Sequence, residues 1–94
     1  MSEAIGDKRG QFYDRYFGHV SREFIPPLLR AARLQPGQRV LDIATGTGLV
    51  AEAASAIVGT SGSVVAVDIA PAMVEHARKH LRHVPNILFE VEDG

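Results

Sequence analysis

Two short apolar runs constrain this chain more than anything else in it: Val40-Leu41-Asp42-Ile43-Ala44 and Ser63-Val64-Val65-Ala66-Val67-Asp68. Each is nearly continuous in aliphatic side chains, each contains one carboxylate, and each lies between turn residues. Such a run reads as a strand buried on both faces. Between the two lie a tight loop, Thr45-Gly46-Thr47-Gly48, and a helix-length stretch with Val50, Ala51, Ala54, Ile57 and Val58 on its inner stripe. Gly59 ends that stretch, glycine being the residue that tolerates the backbone turn at a helix end. Pro71 then opens a second helix, with Met73, Val74, Ala77 and Leu81 inward, and Pro85-Asn86 breaks it before a third strand, Ile87-Leu88-Phe89-Glu90-Val91. Strands alternating with helices pair in parallel through right-handed crossovers. The pattern predicts an α/β fold with three strands in the order 3-2-1.

Upstream, Phe12, Tyr13, Tyr16, Phe17, Val20 and Phe24 recur at steps of three and four, which predicts an amphipathic helix. Pro26-Pro27 suits the first turn of a second, short helix whose inward residues are Leu28, Leu29, Ala31, Ala32 and Leu34. Gln35-Pro36-Gly37-Gln38 is a turn. The expected organisation is one small domain of 94 residues, with a helical cap over 1–34 and a β-α-β-α-β core over 35–94. A net charge of -1 gives no electrostatic reason for a nucleic-acid or membrane-surface partner. The absence of cysteine excludes disulfides and thiolate metal sites, and suits a reducing compartment. The sequence up to Gly94 has neither a secretory leader pattern nor an apolar stretch of about 18 residues, so the expected location is the cytoplasm. His76, His80 and His83 share a helix flank, but with no accompanying acidic pattern no metal is expected there.

The chemistry is carried by a constellation. Gly46-Thr47-Gly48-Leu49-Val50-Ala51 fits G-x-G-x-x-[GA] directly after a strand and at the opening of a helix. Asp68 closes the next strand 22 residues beyond Gly46, where a carboxylate accepts from the hydroxyls of an adenosyl ribose. Two ligands compete for such a site. A dinucleotide lays its pyrophosphate over the glycine loop. Asp42 would stand beside that group, and one like-charge pair at about 4 Å and an effective dielectric of about 20 costs roughly 4 kcal/mol. S-adenosylmethionine has no phosphate; it carries an ammonium and a sulfonium. Asp42 suits it, by direct attraction or by ordering the loop.

Val40 through Gly48 resembles the first motif of class I S-adenosylmethionine-dependent methyltransferases, and Val67-Asp68-Ile69-Ala70-Pro71-Ala72-Met73 resembles their second. The likeness is to the small-molecule branch, including the ubiquinone/menaquinone C-methyltransferase-like proteins. It implies a truncated Rossmann-like, doubly wound parallel sheet preceded by the two N-terminal helices. It also implies S-adenosylmethionine as methyl donor and a small-molecule methyl acceptor. By the same resemblance Ala44, Gly46 and Gly48 pass under the methionyl part, Asp68 takes the ribose, Ile69 and Met73 flank the adenine, and Asp93 accepts from the adenine amino group. Ala44 stands where many members have glycine, although the quinone-related members often carry alanine. No catalytic residue is assigned.

Each residue also has a plainer reading: Asp42 as a loop cap, Asp68 as a helix cap, and Ile69 and Met73 as core. Tyr13 and Tyr16 are expected as packing rather than as a lid. The rival functions are an NAD(P)-binding oxidoreductase domain and a nucleotide-binding fragment without chemistry. In the 3-2-1 order the Val40 to Ala44 strand lies at the sheet edge, with unpaired backbone groups along an apolar run. The expectation is therefore a fragment of a longer enzyme, inactive alone, or self-association through that edge.

Overall fold

The computed structural model describes residues 5–6, 12–18 and 21–91. In chain order the elements are β1 (Ile5–Gly6), β2 (Phe12–Tyr13), β3 (Arg15–Phe17), a 3-10 turn (Arg22–Phe24), α1 (Ile25–Ala32), β4 (Arg39–Ile43), α2 (Leu49–Val58), β5 (Ser63–Asp68), α3 (Pro71–His80) and β6 (Ile87–Val91). Strands β1 and β2 form a small antiparallel ladder, whereas β3-β4-β5-β6, in that order, make a parallel sheet. The three strands expected from the valine-rich runs are β4, β5 and β6. Their register sets Val40 beside Val64 and Val64 beside Ile87.

The side-chain alternation of these strands fills both faces of the sheet. Val40, Val64 and Ala66 join a core with Val50, Ala51, Ala54 and Val58 of α2 and with Phe17, Ile25, Leu29 and Leu34. Leu41, Val65 and Val67 point the other way and pack with Tyr13. Val40, Val58 and Val64 are wholly buried, each contributing about 1.5–3 kcal/mol of burial free energy. The alanines of α2 let it approach the sheet closely. Ile57, expected on its inner stripe, is instead 37% exposed, one position past the contact face. Gly62 is required by a different contact: a Cβ there would lie 2.5 Å from the carbonyl oxygen of Gln38 and 2.6 Å from Cβ of Val58.

Among the described residues of Phe12 to Phe24 the predicted α-helix is replaced by two short strands and a 3-10 turn. The chain is extended through β2, bends at Asp14, and continues as β3 along the free edge of β4. Arg15 pairs with Val40, Tyr16 with Leu41 and Phe17 with Asp42. Tyr13 and Phe17 are buried while Tyr16 and Phe24 are more than half exposed. A spacing of four would place Tyr13 and Phe17 on one face of a helix, but the bend at Asp14 turns them to opposite faces of the sheet, where extended chain buries both. Aromatic side chains suit strands, and the unpaired N–H and C=O groups of β4 decide the matter. The Asp14 N–H donates to the Arg39 carbonyl at 2.8 Å, and Asp14 Oδ2 accepts from the Arg39 N–H at 2.7 Å. Arg15 Nε donates to the Ala32 carbonyl at 3.0 Å, tying β3 to the end of α1. The expected open edge at Val40 to Asp42 is therefore covered by this chain's own residues. A three-residue edge strand is short enough to offer little template for further pairing.

The second predicted helix is α1, with Pro26-Pro27 in its first turn and Arg33 closing it in the left-handed conformation. Ile25 and Leu29 are buried, Leu34 is buried just beyond the helix end, and Ala31, expected inward, is exposed.

Candidate cofactor site

Beyond the C-terminal end of β4 lies a cleft of about 270 Å³, where open parallel sheets hold their ligands. Its floor is the loop between β4 and α2. Three residues of that loop take left-handed backbone angles: Ala44 (φ 58), Gly46 (φ 56) and Gly48 (φ 86). The Thr45 N–H donates to the Val67 carbonyl at 2.8 Å, and the Gly48 N–H to the Thr45 carbonyl at 2.9 Å, so the loop is held to β5 and folded on itself.

Asp42 stands under this loop, 1% exposed, and accepts the Thr45 hydroxyl at 2.7 Å. It lines the cleft. This carboxylate orders the loop through the Thr45 hydroxyl and lies on the cleft wall. Asp68, at the end of β5, bridges two backbones: Oδ2 accepts from the Gly46 N–H and Oδ1 from the Ala70 N–H, each at 3.0 Å. It fixes the distance between the glycine loop and the turn entering α3. A carboxylate has about four lone-pair sites, so two remain for other donors.

Of the residues expected at the site, Asp42, Ala44, Gly46 and Met73 line the cleft, while Gly48, Asp68 and Ile69 do not. Ile69 is 76% exposed. Asp93 lies outside the described residues. Gly48 has a packing reason to be glycine: a Cβ would lie 2.7 Å from Cδ1 of the buried Leu81 and 3.5 Å from Cβ of Ala77. Gly18, Ser21 and Arg22 also line the cleft. The spacing of the motifs gives no sign of these three, because pairing between β3 and β4 brings them to the loop.

The family described as "Methyltransferase domain" matches residues 40–94, the stretch that contains the loop, Asp42 and Asp68. This chain belongs to that family. Among its relatives is aklanonic acid methyltransferase DauC of Streptomyces sp. (strain C5), 38% identical over 94% of this chain and 41% of that protein. Ubiquinone/menaquinone biosynthesis C-methyltransferase UbiE of Coxiella burnetii (strain Dugway 5J108-111) is 49% identical over 52% of this chain and 20% of that protein. Among solved structures, a SAM dependent methyltransferase from Aquifex aeolicus superposes with a TM-score of 0.68 at 28% identity, over 72% of this chain and 37% of that one. The chain spans about two fifths or less of these relatives. Among the described residues no helix is long and apolar enough to cross a membrane.

Proposed function

We propose that the cleft is the S-adenosylmethionine site of a methyltransferase acting on a small molecule, with this chain supplying the cofactor-binding half. The observation that carries the reading is Asp42: a buried carboxylate beneath the glycine loop and on the cleft wall. It repels a pyrophosphate at this place and attracts a cation. The relatives support the same reading, since two are named as methyltransferases of small molecules and the solved structure is named as SAM dependent. When bound, S-adenosylmethionine supplies a methyl group on a positively charged sulfur, activated for direct displacement.

The chain's own residues then bind and orient. Asp42 holds the loop through Thr45 and faces the ammonium end. Asp68 keeps the loop and the α3 entrance in register and accepts from the ribose hydroxyls. Met73 lies along the adenine, with Ile69 at its outer side and Asp93 as the acceptor for its amino group. Alignment of the acceptor with the methyl group is the main work left to the protein.

Asp42→Asn tests this reading, since the amide still accepts the Thr45 hydroxyl but carries no charge. Affinity for S-adenosylhomocysteine is expected to fall by about 1.5–3 kcal/mol, the range for hydrogen bonds to charged groups. Affinity for NADH is expected to stay or rise. Calorimetric titration of both ligands measures this, and an Asn variant that holds S-adenosylhomocysteine as well as the parent would refute the charge argument.

A further inference from the structure

We infer that the C-terminal end of α3 and the turn after it form a second binding site, for a small ligand bearing two or more phosphate groups. This inference is independent of the adenosyl reading above. A surface depression of about 560 Å³ is lined by His76, Lys79, His80, Arg82 and His83. All five side chains are exposed, and each is either a cation or an imidazole that donates an N–H. No carboxylate is among the lining residues. The neighbouring Glu75 pairs with Arg78 at 3.4 Å, and neither of them lines the depression. Among the described residues none of the five pairs with an acid.

The fold gathers these groups because α3 buries its other stripe. Val74, Ala77 and Leu81 are inside, so positions 76, 79, 80 and 83 recur outward at steps of three and four. The Leu81 N–H donates to the Ala77 carbonyl and the Val84 N–H to the Leu81 carbonyl, each at 2.9 Å. These bonds carry Arg82 and His83 round the same end. His76 and His80 hold their rings parallel, with centroids 6.3 Å apart, wider than one phosphate group and within the span of two linked ones. A helix C-terminus opposes an anion with about half a negative charge, and the permanent charges of Lys79 and Arg82 outweigh it. The same two charges oppose a metal ion at the histidine pair. A volume of about 560 Å³ suits a small molecule. A bound nucleic-acid strand covers about four nucleotides or more, whereas positions 76–83 span only about 10 Å at the helical rise. A membrane-binding helix sets an apolar face beside its charges, and no apolar residue lines this depression.

Calorimetry on the whole chain, with pyrophosphate as the probe, tests this. Saturable binding is expected, weakened about tenfold or more in Lys79→Gln/Arg82→Gln and in His76→Gln/His80→Gln. Lys79→Arg/Arg82→Lys should bind within about threefold of the parent, since both charges remain. Arg30→Gln/Arg33→Gln, on and just after α1, removes as much charge elsewhere and is expected to leave pyrophosphate affinity unchanged. All these positions are exposed, so the variants are expected to fold, and thermal unfolding checks it. Saturating S-adenosylhomocysteine should not displace pyrophosphate. The inference is overturned if pyrophosphate does not bind, or if the Arg30 and Arg33 pair weakens it as much as the α3 pairs do. Displacement by S-adenosylhomocysteine would place the anion in the cofactor cleft and overturn it equally. So would a single-stranded oligonucleotide, a phosphatidylserine vesicle or zinc ion that binds more tightly than pyrophosphate and is lost in the same α3 variants.

Discussion

Asp68→Ala is expected to weaken S-adenosylhomocysteine binding by about 2–3 kcal/mol, roughly 30- to 150-fold, near the upper range for hydrogen bonds to a charged group. Two losses coincide. The ribose hydroxyls lose a charged acceptor, and the Gly46 and Ala70 N–H groups lose the carboxylate that holds them at 3.0 Å each. The second loss frees the glycine loop from the α3 entrance, so the site is also less ordered before the ligand arrives. Asp68→Asn separates the two effects. Its amide oxygen can accept one of the two N–H groups, and its binding loss should fall between those of the parent and the alanine variant. Calorimetry on folded variants is the measurement; unchanged affinity in Asp68→Ala would remove this carboxylate from the site.

Gly48→Ala is expected to cost about 2–5 kcal/mol of stability. The backbone at φ 86 is a left-handed conformation that costs an L-residue about 1–2 kcal/mol. The new methyl would also meet Leu81 Cδ1 at 2.7 Å, and overpacking of a filled core costs about 1–3 kcal/mol. Leu81 is 1% exposed and has little room to turn away. The urea midpoint should drop accordingly. Because Gly48 faces Ala77 and Leu81 rather than the cleft, the fraction that remains folded should bind the adenosyl ligand with affinity close to the parent's. A stable Gly48→Ala protein with lost binding would instead make Gly48 a ligand contact.

The core from β4 to β6 was legible because its signals are local. Runs of valine and leucine bounded by Gly37, Gly59, Pro71 and Pro85 mark strands and helices without reference to the rest of the chain. Asp42 and Asp68 were legible for the same reason, each standing in or at the end of such a run. The bridge from Asp68 to Gly46 agrees with the 22-residue spacing that links acid and loop. The N-terminal segment was not legible. Tyr13 and Phe17 are spaced for one face of a helix yet pack on opposite faces of the sheet, and what decides is a partner distant in sequence: Asp14 to Arg39 spans 25 residues. Arg22 is hidden by the same fact, since only β3–β4 pairing brings it to the loop. Gly62 carries no motif, yet the close passage of Gln38 and Val58 requires it. Ile69 follows Asp68 in a recognisable segment, but its side chain is 76% exposed, so any place beside an adenine depends on the ligand being there.

The central claim is that the carboxylate beneath the glycine loop selects an adenosyl ligand with an ammonium end over a dinucleotide with a pyrophosphate. Parallel calorimetric titrations of the 94-residue chain with S-adenosylhomocysteine and with NADH test it most directly. The expected result is saturable binding of S-adenosylhomocysteine at least about tenfold tighter than NADH, a margin of about 1.4 kcal/mol and well within the roughly 4 kcal/mol repulsion between Asp42 and a pyrophosphate. Tighter binding of NADH would contradict the account.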